Sequence, residues 1–384
     1  MVKFARIAII PLILFISVLS SCSISPDEGS QESIHSITDP YEFSISEWEF
    51  DALGNQLWES LKPASRIEGA GVETAREYFD LIRRGESPQT ELEDRTESIL
   101  ARQIRSVLIE EGITHPLDAW VPMKVVFPPV NFEFESPPNL LVLSPRDEIR
   151  LLKRTPLEPD LTLAEKETIE EQADELGYSS LVASLGGIGF TYPTMVYETG
   201  DVRRAISIAT EEWFHQYMAF KPLGLLYVLD SVGWRPDYDI ITMNETTAGI
   251  VNKEIGAKVY QKYYAEWEEI IPAAEPDSNF NLLMREIRIK VDDYLAKGKV
   301  AEAEDYMNRM RDFLASNGYH IRKLNQAYFA FHGTYADDPA TASQIGQDLQ
   351  KLRGECSSLK EFLEKVTVMT KPQDLKNALE ENGK

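Results

Sequence analysis

The chain has 384 residues, and its 63 Asp and Glu side chains outnumber its 39 Lys and Arg side chains, for a formal net charge of −24 at pH 7. A protein this acidic is repelled by phosphate backbones and by anionic membrane surfaces, which excludes nucleic acid as a partner. The length is ample for a large hydrophobic core, and it allows more than one lobe of helices and strands.

Residues 1–21 have the features of a signal peptide. A basic start precedes Ile7 to Leu19, an uncharged and almost wholly apolar run that is short for a bilayer span. The run ends in Leu19-Ser20-Ser21-Cys22, which resembles the bacterial lipobox. This resemblance implies that Cys22 is lipidated and holds the protein on the extracytoplasmic face of the cell membrane. The alternative is an ordinary signal peptide, or a membrane anchor, that happens to contain a cysteine.

Two segments follow the lipobox-like sequence before any strand pattern begins. Residues 22–43 are rich in Ser, Asp, Glu and Pro and predict a flexible tether. Residues 44–112 have the apolar spacing of amphipathic helices and predict a helical N-terminal subdomain. Its last helix is expected to start at Ser87-Pro88, which would be the N-cap and first helical residue, and to end at Gly112.

Residues 113–270 predict a mixed domain that begins with a small sheet. Thr162, with Glu165 three residues later, has the capping-box pattern and predicts a helix to Leu176. Because Pro193 has no N–H to donate to a sheet ladder, the strand that contains it is expected at an edge. Short apolar or alternating runs predict the strands, in Val121–Phe134, Asn139–Leu143, Glu148–Lys153, Leu181–Leu185 and Phe190–Tyr197.

From Asp201 onward nearly every segment predicts helix, and residues 271–384 are expected to form a helical C-terminal subdomain. The predicted fold class is α+β, mainly helical, with a small mixed sheet that ends in an edge strand. The helices are expected near 201–218, 241–268, 278–297, 299–317, 320–332, 341–353 and 358–367.

Two of these helices carry polar side chains at spacings that suit a shared site. Each residue turns a helix by about 100°, so Glu211, Glu212 and His215 occupy one sector of the first helix. One face of the second helix is shared by Glu245, Ala248, Gly249 and Asn252. Because glycine is unfavourable inside a helix, we expect Gly249 to let the two helices approach each other closely.

The sequences Glu211-Glu212-x-x-His215 and Asn244-Glu245-x-x-Ala248 resemble the active-site motifs of the gluzincin group of zincin metallopeptidases. The resemblance covers about residues 180–260 and makes residues 113–270 a zincin-like domain. It implies that Glu212 is the general base and that His215 and Glu245 are metal ligands. Glu211 stands where the family has its first histidine ligand. Without the second motif, a solvated acidic helix face would be the better interpretation of Glu-Glu-x-x-His.

The glutamate at position 211 changes the chemistry that the resemblance implies. Two histidines and one glutamate leave a zinc site with a formal charge of +1, whereas two glutamates and one histidine leave it neutral. A neutral site is a weaker Lewis acid, and carboxylate ligands shift the metal preference from zinc toward manganese. We therefore expect Zn²⁺, another divalent cation such as Mn²⁺, or no metal at all.

Further residues are assigned by the same resemblance. Zincins use a His or Tyr from the C-terminal half to stabilise the oxyanion, which suggests His332 or Tyr335, although an aromatic helix end is the simpler interpretation. An edge strand beside the metal helix binds extended substrate, which suggests Gly189 and Tyr192, although an ordinary glycine turn and edge strand is equally compatible.

The sequence as a whole predicts a membrane-anchored lipoprotein with a weakened metallopeptidase domain that acts on peptides or proteins. The first alternative is a catalytically inactive lipoprotein that binds peptides or envelope partners. The second is a helical scaffold lipoprotein without any ligand.

Overall fold

The computed structural model describes residues 28–43, 70–114, 126–189, 191–231, 237–267, 278–334 and 343–382. Within these ranges the protein is mainly helical and has two small sheets, which confirms the predicted α+β class.

The chain begins with a helix, α1 (Glu28–Thr38), followed by a short 3-10 turn at Asp39–Tyr41. The prediction of a flexible tether over residues 22–43 is therefore wrong for residues 28–43. Ile34 is only 2% exposed and belongs to an apolar cluster with the neighbouring sheet and helix, so its burial offsets the entropy lost on ordering the segment. Cys22 and the rest of residues 1–27 lie outside the described residues.

The predicted N-terminal helical subdomain contains α2 (Ala70–Arg83) and α3 (Thr90–Glu110), while residues 44–69 lie outside the described ranges. The N-cap of α3 is Gln89 rather than Ser87, so the helix starts later than the serine and proline indicated. Gly112 adopts a φ of +72° just after α3, a left-handed conformation that glycine adopts without steric strain.

Within the described residues, six short strands form two separate three-stranded sheets instead of one. The strands are β1 (Phe132–Phe134), β2 (Asn139–Ser144), β3 (Lys153–Leu157), β4 (Ser179–Ser184), β5 (Gly187–Ile188) and β6 (Thr194–Val196). The first sheet has the order β3-β2-β4 and is antiparallel. The second has the order β1-β6-β5, with β1 parallel and β5 antiparallel to β6.

Two strand predictions are wrong. The strand after Pro193 is the central strand of its sheet and not an edge strand. The proline does not prevent this, because pairing begins one residue later, at Thr194. The edge strands on its two sides are β1 and β5. The strand expected over Glu148–Lys153 starts only at Lys153, because the backbone N–H of Arg150 donates to the side chain of Ser144 in a local turn.

The helix between β3 and β4 is α4 (Leu163–Glu175), and its predicted capping box is confirmed. The remaining helices of the described residues are α5 (Val202–Ala219), α6 (Pro222–Ser231), α7 (Tyr238–Tyr264), α8 (Ser278–Ala296), α9 (Val300–Ser316), α10 (Gln326–His332), α11 (Gln344–Glu355), α12 (Leu359–Val366) and α13 (Pro372–Asn382). Helices α6 and α13 were not predicted, and α10 is shorter than expected.

The largest apolar core surrounds α5 and α7. It unites side chains from all three predicted subdomains, for example Leu100 from α3, Phe214 from α5 and Phe362 from α12, all of which are 0% exposed. A second cluster lies between α8 and α9. Within the described ranges, none of the helices combines the length and the apolar character that crossing a bilayer requires.

Candidate metal centre

Helix α5 is oriented by contacts on the side away from the polar motif. Asp201 caps its N-terminus by accepting a hydrogen bond from the backbone N–H of Arg203 at 2.8 Å. Trp213 is 1% exposed, and its indole N–H donates to the carbonyl of Pro128 at 2.9 Å. Because Trp213 and Phe214 face the core, the side chains of Glu211, Glu212 and His215 turn toward a different side of the helix.

Helix α7 packs along α5 and presents the second motif to it. Asp237 caps its N-terminus by accepting from the backbone N–H groups of Asp239 and Ile240. The expectation for Gly249 is wrong, since a Cβ added there would meet no atom within 4 Å. The small contact residue at this level is Ala248, which is 0% exposed.

The structure brings Glu211, His215 and Glu245 together across these two helices. Each offers one potential ligand atom, and the three atoms lie within 4.8 Å of one another. Nε2 of His215 is 3.5 Å from Oε2 of Glu245, and these two side chains are 8% and 6% exposed. The predicted convergence is therefore confirmed, whereas metal binding by these residues stays a prediction.

His215 is held by Asn244, the residue that precedes Glu245. Oδ1 of Asn244 lies 3.0 Å from Nδ1 of the imidazole. Because a carbonyl oxygen can only accept, Nδ1 carries a proton, which leaves Nε2 as the nitrogen that could bind a metal. Nε2 is also the nitrogen that faces Glu245. Asn244 thus orients the imidazole of His215 as a metal ligand requires.

Glu245 is held by Tyr227 of α6, whose hydroxyl donates to Oε1 at 2.6 Å. The same aromatic ring stacks on the imidazole of His215, with the ring centroids 5.5 Å apart. Oε2 of Glu245 is buried and accepts no hydrogen bond from any described residue. A buried carboxylate oxygen without a hydrogen-bond donor is costly, and a cation at this place would satisfy it.

Glu211 is half-buried, and the amide of Asn252 donates to its Oε2. Burial raises the pKa of the Glu211 carboxyl above its ordinary value, and the negative charge of Glu245 adds to the effect. The positive electrostatic influence of His215, the Asn252 hydrogen bond and Lys253 act in the opposite direction. Position 211 thus contributes a carboxylate that is already oriented by a neighbour.

Glu212 lies against β5 and the residue after it. A Cβ at Gly187 would lie 2.7 Å from Cγ of Glu212, and one at Gly189 would lie 2.6 Å from its backbone oxygen. Glycine is therefore required at both positions by the close approach of strand and helix. The Gly189 N–H donates to the Glu212 carboxylate, yet burial and the charges of Glu211 and Glu245 raise its pKa well above the ordinary value.

The remaining predicted residues have mixed positions. Gly189 directly follows the edge strand β5 and contacts the site through Glu212, whereas Tyr192 is 7% exposed in the connection to β6. His332 lies at the end of α10 with its ring 4.3 Å from that of Tyr328, and it is not part of the cluster. Tyr335 lies outside the described residues.

The sequence did not identify Tyr227, Arg154 or the role of Asn244. Arg154 on β3 is hydrogen-bonded to Tyr227 and interacts electrostatically with Glu245. Its guanidinium is also paired with Asp230 at 3.3 Å, so its charge is already balanced. The position of Asn244 next to Glu245 was a usable signal. Tyr227 and Arg154 gave none, because they reach the site from other elements.

The residues present fit a divalent cation. Tetrahedral zinc with ligands at about 2.0–2.1 Å places its ligand atoms about 3.3 Å apart, close to the observed 3.5 Å between His215 and Glu245. Glu211 and Glu245 supply two formal negative charges, which a divalent cation balances.

Comparison with known proteins gives no match. Neither a protein-family model, nor a curated protein, nor a solved structure is similar to the chain. The zincin resemblance therefore rests on the two sequence motifs.

Proposed function

We propose that Glu211, His215 and Glu245 bind a divalent cation, zinc or manganese, in a zincin-like metallopeptidase domain of a membrane-anchored lipoprotein. The observation that carries the proposal is that three potential ligand atoms, from the half-buried Glu211 and the buried His215 and Glu245, lie within 4.8 Å of one another. The unmatched buried oxygen of Glu245 supports it, because a cation would satisfy that atom.

The residues have distinct tasks in this proposal. His215 and Glu245 hold the cation, and Glu211 takes the third ligand position. A divalent cation held there would supply Lewis-acid activation of a peptide carbonyl. In this proposal Glu212 would accept a proton from the attacking water and pass it to the leaving amine.

Peptide hydrolysis at this site is expected to be weak or absent. Two carboxylate ligands leave the site with no net positive charge, and the nearby guanidinium of Arg154 is paired with Asp230. The Glu212 carboxylate is also engaged by the Gly189 N–H. This last contact favours the second candidate function, an inactive lipoprotein that binds peptides or envelope partners.

The metal proposal is tested by elemental analysis of the full-length protein purified in detergent, with Glu245→Gln and Glu171→Gln as a matched pair. Glu171 is exposed on α4, away from the site. We expect about one zinc or manganese ion per chain in the native protein and in Glu171→Gln, and a large loss in Glu245→Gln. A native protein without bound metal after zinc or manganese loading contradicts the proposal.

Activity is tested with Glu211→His, which restores the family ligand. We expect this variant to bind zinc roughly tenfold more tightly than the native protein and to gain peptide hydrolysis, because a second imidazole restores positive charge. Unchanged zinc affinity would show that residue 211 does not occupy a ligand position. Native peptide cleavage at ordinary enzyme rates would show that the charge argument is wrong.

The lipid anchor is proposed from the sequence of residues 19–22 alone. Cys22→Ser is expected to release the protein from the membrane fraction or leave it unprocessed. Membrane fractionation and the mass of the mature protein measure this directly. An unchanged location and mass in the variant would contradict lipidation.

A further inference from the structure

Each of the two carboxylates at the proposed metal centre has one oxygen engaged by a neighbouring side chain. The Tyr227 hydroxyl donates to Oε1 of Glu245, and the Asn252 amide donates to Oε2 of Glu211. Tyr227 is 6% exposed and Asn252 is 7% exposed, so water does not compete freely for these hydrogen bonds.

The direction of the Tyr227 hydrogen bond is set by Arg154. A guanidinium has donors and no acceptor, so the Tyr227 oxygen must accept from Arg154 and direct its own proton elsewhere. That proton points to Glu245. Arg154 is itself held by Asp230, which also accepts from the backbone N–H of Asp237 at the start of α7. The chain of contacts thus ties Glu245 to the first turn of its own helix.

The consequence is that Glu245 turns Oε2 toward His215, while its Oε1 is held by Tyr227. Oε1 is used by Tyr227, and Oε2 is the atom that lies 3.5 Å from Nε2 of His215. Rotation of the carboxylate to offer both oxygens would break the Tyr227 bond in a buried place. Asn252 engages one oxygen of Glu211 in the same way.

Single-oxygen ligands discriminate between cations. Calcium takes about six to eight oxygen ligands at about 2.3–2.6 Å and uses carboxylates in the bidentate mode to reach that number. Zinc is satisfied by about three protein ligands and one further group, and imidazole suits zinc better than calcium. Three single donors therefore serve the smaller transition metals well and calcium poorly.

We propose that Tyr227, together with Asn252, is a specificity-determining positioning residue that makes this site select zinc or manganese over calcium. The inference rests on the proposed function, since it concerns the cation held by Glu211, His215 and Glu245. It assigns to Tyr227 a role that neither sequence motif contains.

The test measures zinc, manganese and calcium binding by titration calorimetry on full-length protein in detergent. Tyr227→Phe keeps the ring that stacks on His215 and removes only the hydroxyl. We expect zinc to bind roughly 10–100-fold more weakly, with the ratio of zinc to calcium affinity reduced at least about tenfold, because Glu245 is freed to become bidentate.

The matched control is Tyr264→Phe. Tyr264 also lies on a buried helix face, and its hydroxyl donates to Gln103 at 2.7 Å, away from the metal centre. This variant loses one buried hydrogen bond, as Tyr227→Phe does, but its ratio of zinc to calcium affinity should stay at the native value. A change as large as that in Tyr227→Phe would reveal a general loss of packing and overturn the proposal.

Asn252→Leu provides a second variant that acts on the other carboxylate, and it should shift the ratio in the same direction. If the native protein binds zinc and both variants keep the native ratio, the selectivity proposal is overturned while the proposed function stands. If the native protein binds neither zinc nor manganese, both fail. Native calcium binding as tight as zinc binding also overturns the selectivity proposal alone.

Discussion

Two buried glutamates in this protein differ in how many hydrogen bonds their carboxylate oxygens accept. Glu170 on α4 is 2% exposed, and Arg322 donates to both of its oxygens at 2.6 and 2.7 Å. The backbone N–H of Val182 donates to the same carboxylate at 2.6 Å. Glu245 on α7 is 5% exposed, and its only hydrogen bond among the described residues comes from Tyr227, while Oε2 has none.

The difference separates a carboxylate that joins two elements of the fold from one that we propose to bind a cation. Glu170 is fully satisfied, and its pair with Arg322 connects α4 to the chain just before α10. Glu245 is also buried, but its Oε2 accepts no hydrogen bond from the described residues, and the carboxyl groups of Glu211 and Glu212 lie nearby. Burial alone therefore does not distinguish the two roles, whereas the number of unused lone pairs does.

We expect the largest change in stability when the ion pair between Arg322 and Glu170 is broken. Arg322→Leu leaves Glu170 buried with only Val182 and a more distant Lys323, so the free energy of unfolding should fall by about 3–5 kcal/mol. Urea denaturation at pH 7 measures this. The control Arg309→Leu removes an exposed ion pair with Asp305 and should change stability by less than about 1 kcal/mol. Equal losses of unfolding free energy in Arg322→Leu and Arg309→Leu would contradict the prediction that the buried pair matters more than the exposed one.

Substitution of Glu245, whose Oε2 accepts no hydrogen bond from the described residues, should affect stability in the opposite direction. In EDTA, Glu245→Gln is expected to keep or raise the unfolding free energy, because it relieves repulsion among neighbouring carboxylates and keeps an acceptor for Tyr227. With free zinc at 100 times its Kd, the native protein should gain about 2.7 kcal/mol and the variant almost nothing. Urea denaturation curves recorded with and without zinc measure the unfolding free energies of the native protein and of Glu245→Gln. A large loss of stability in EDTA would make Glu245 a structural residue like Glu170.

A third carboxylate, Glu97 on α3, sharpens the comparison because it has one donor and several negative neighbours. The backbone N–H of Phe134 donates to it at 2.6 Å. Burial nevertheless raises the pKa of Glu97 to about 8, and the nearby Glu133 and Glu93 add to the rise. Burial and Glu135 also raise the pKa of Glu133 to about 7.

The smallest expected effect is the pH dependence that Glu97 produces. Its folded pKa is raised, so its contribution to stability is complete below about pH 4.5 and is lost as the pH rises toward about 8. Between pH 5 and pH 9 we therefore expect this group to lower the free energy of unfolding. Glu97→Gln should flatten the curve, and the exposed Glu91→Gln on the same helix should not. Parallel curves for native protein and Glu97→Gln would contradict the assignment.

Most of the fold and part of the site could be predicted because the signals are local. The capping box at Thr162, the helices α5 and α7 and the shared sector of Glu211 and His215 follow from hydrogen bonds and spacings within a few residues. The tether, the strand order around Pro193 and the role of Gly249 were wrong, because each depends on what packs against the segment from elsewhere.

By itself, the sequence determined which side chains can share a helix face, and so placed Glu211 with His215 and Glu245 with Asn252. Only the tertiary structure decided that these faces meet, that Asn244 fixes the imidazole, and that Tyr227 and Arg154 reach Glu245 from α6 and β3. Helical periodicity is a property of neighbouring residues, whereas the hydrogen bonds that leave one Glu245 oxygen open join elements far apart in the chain, and their partners are chosen by packing.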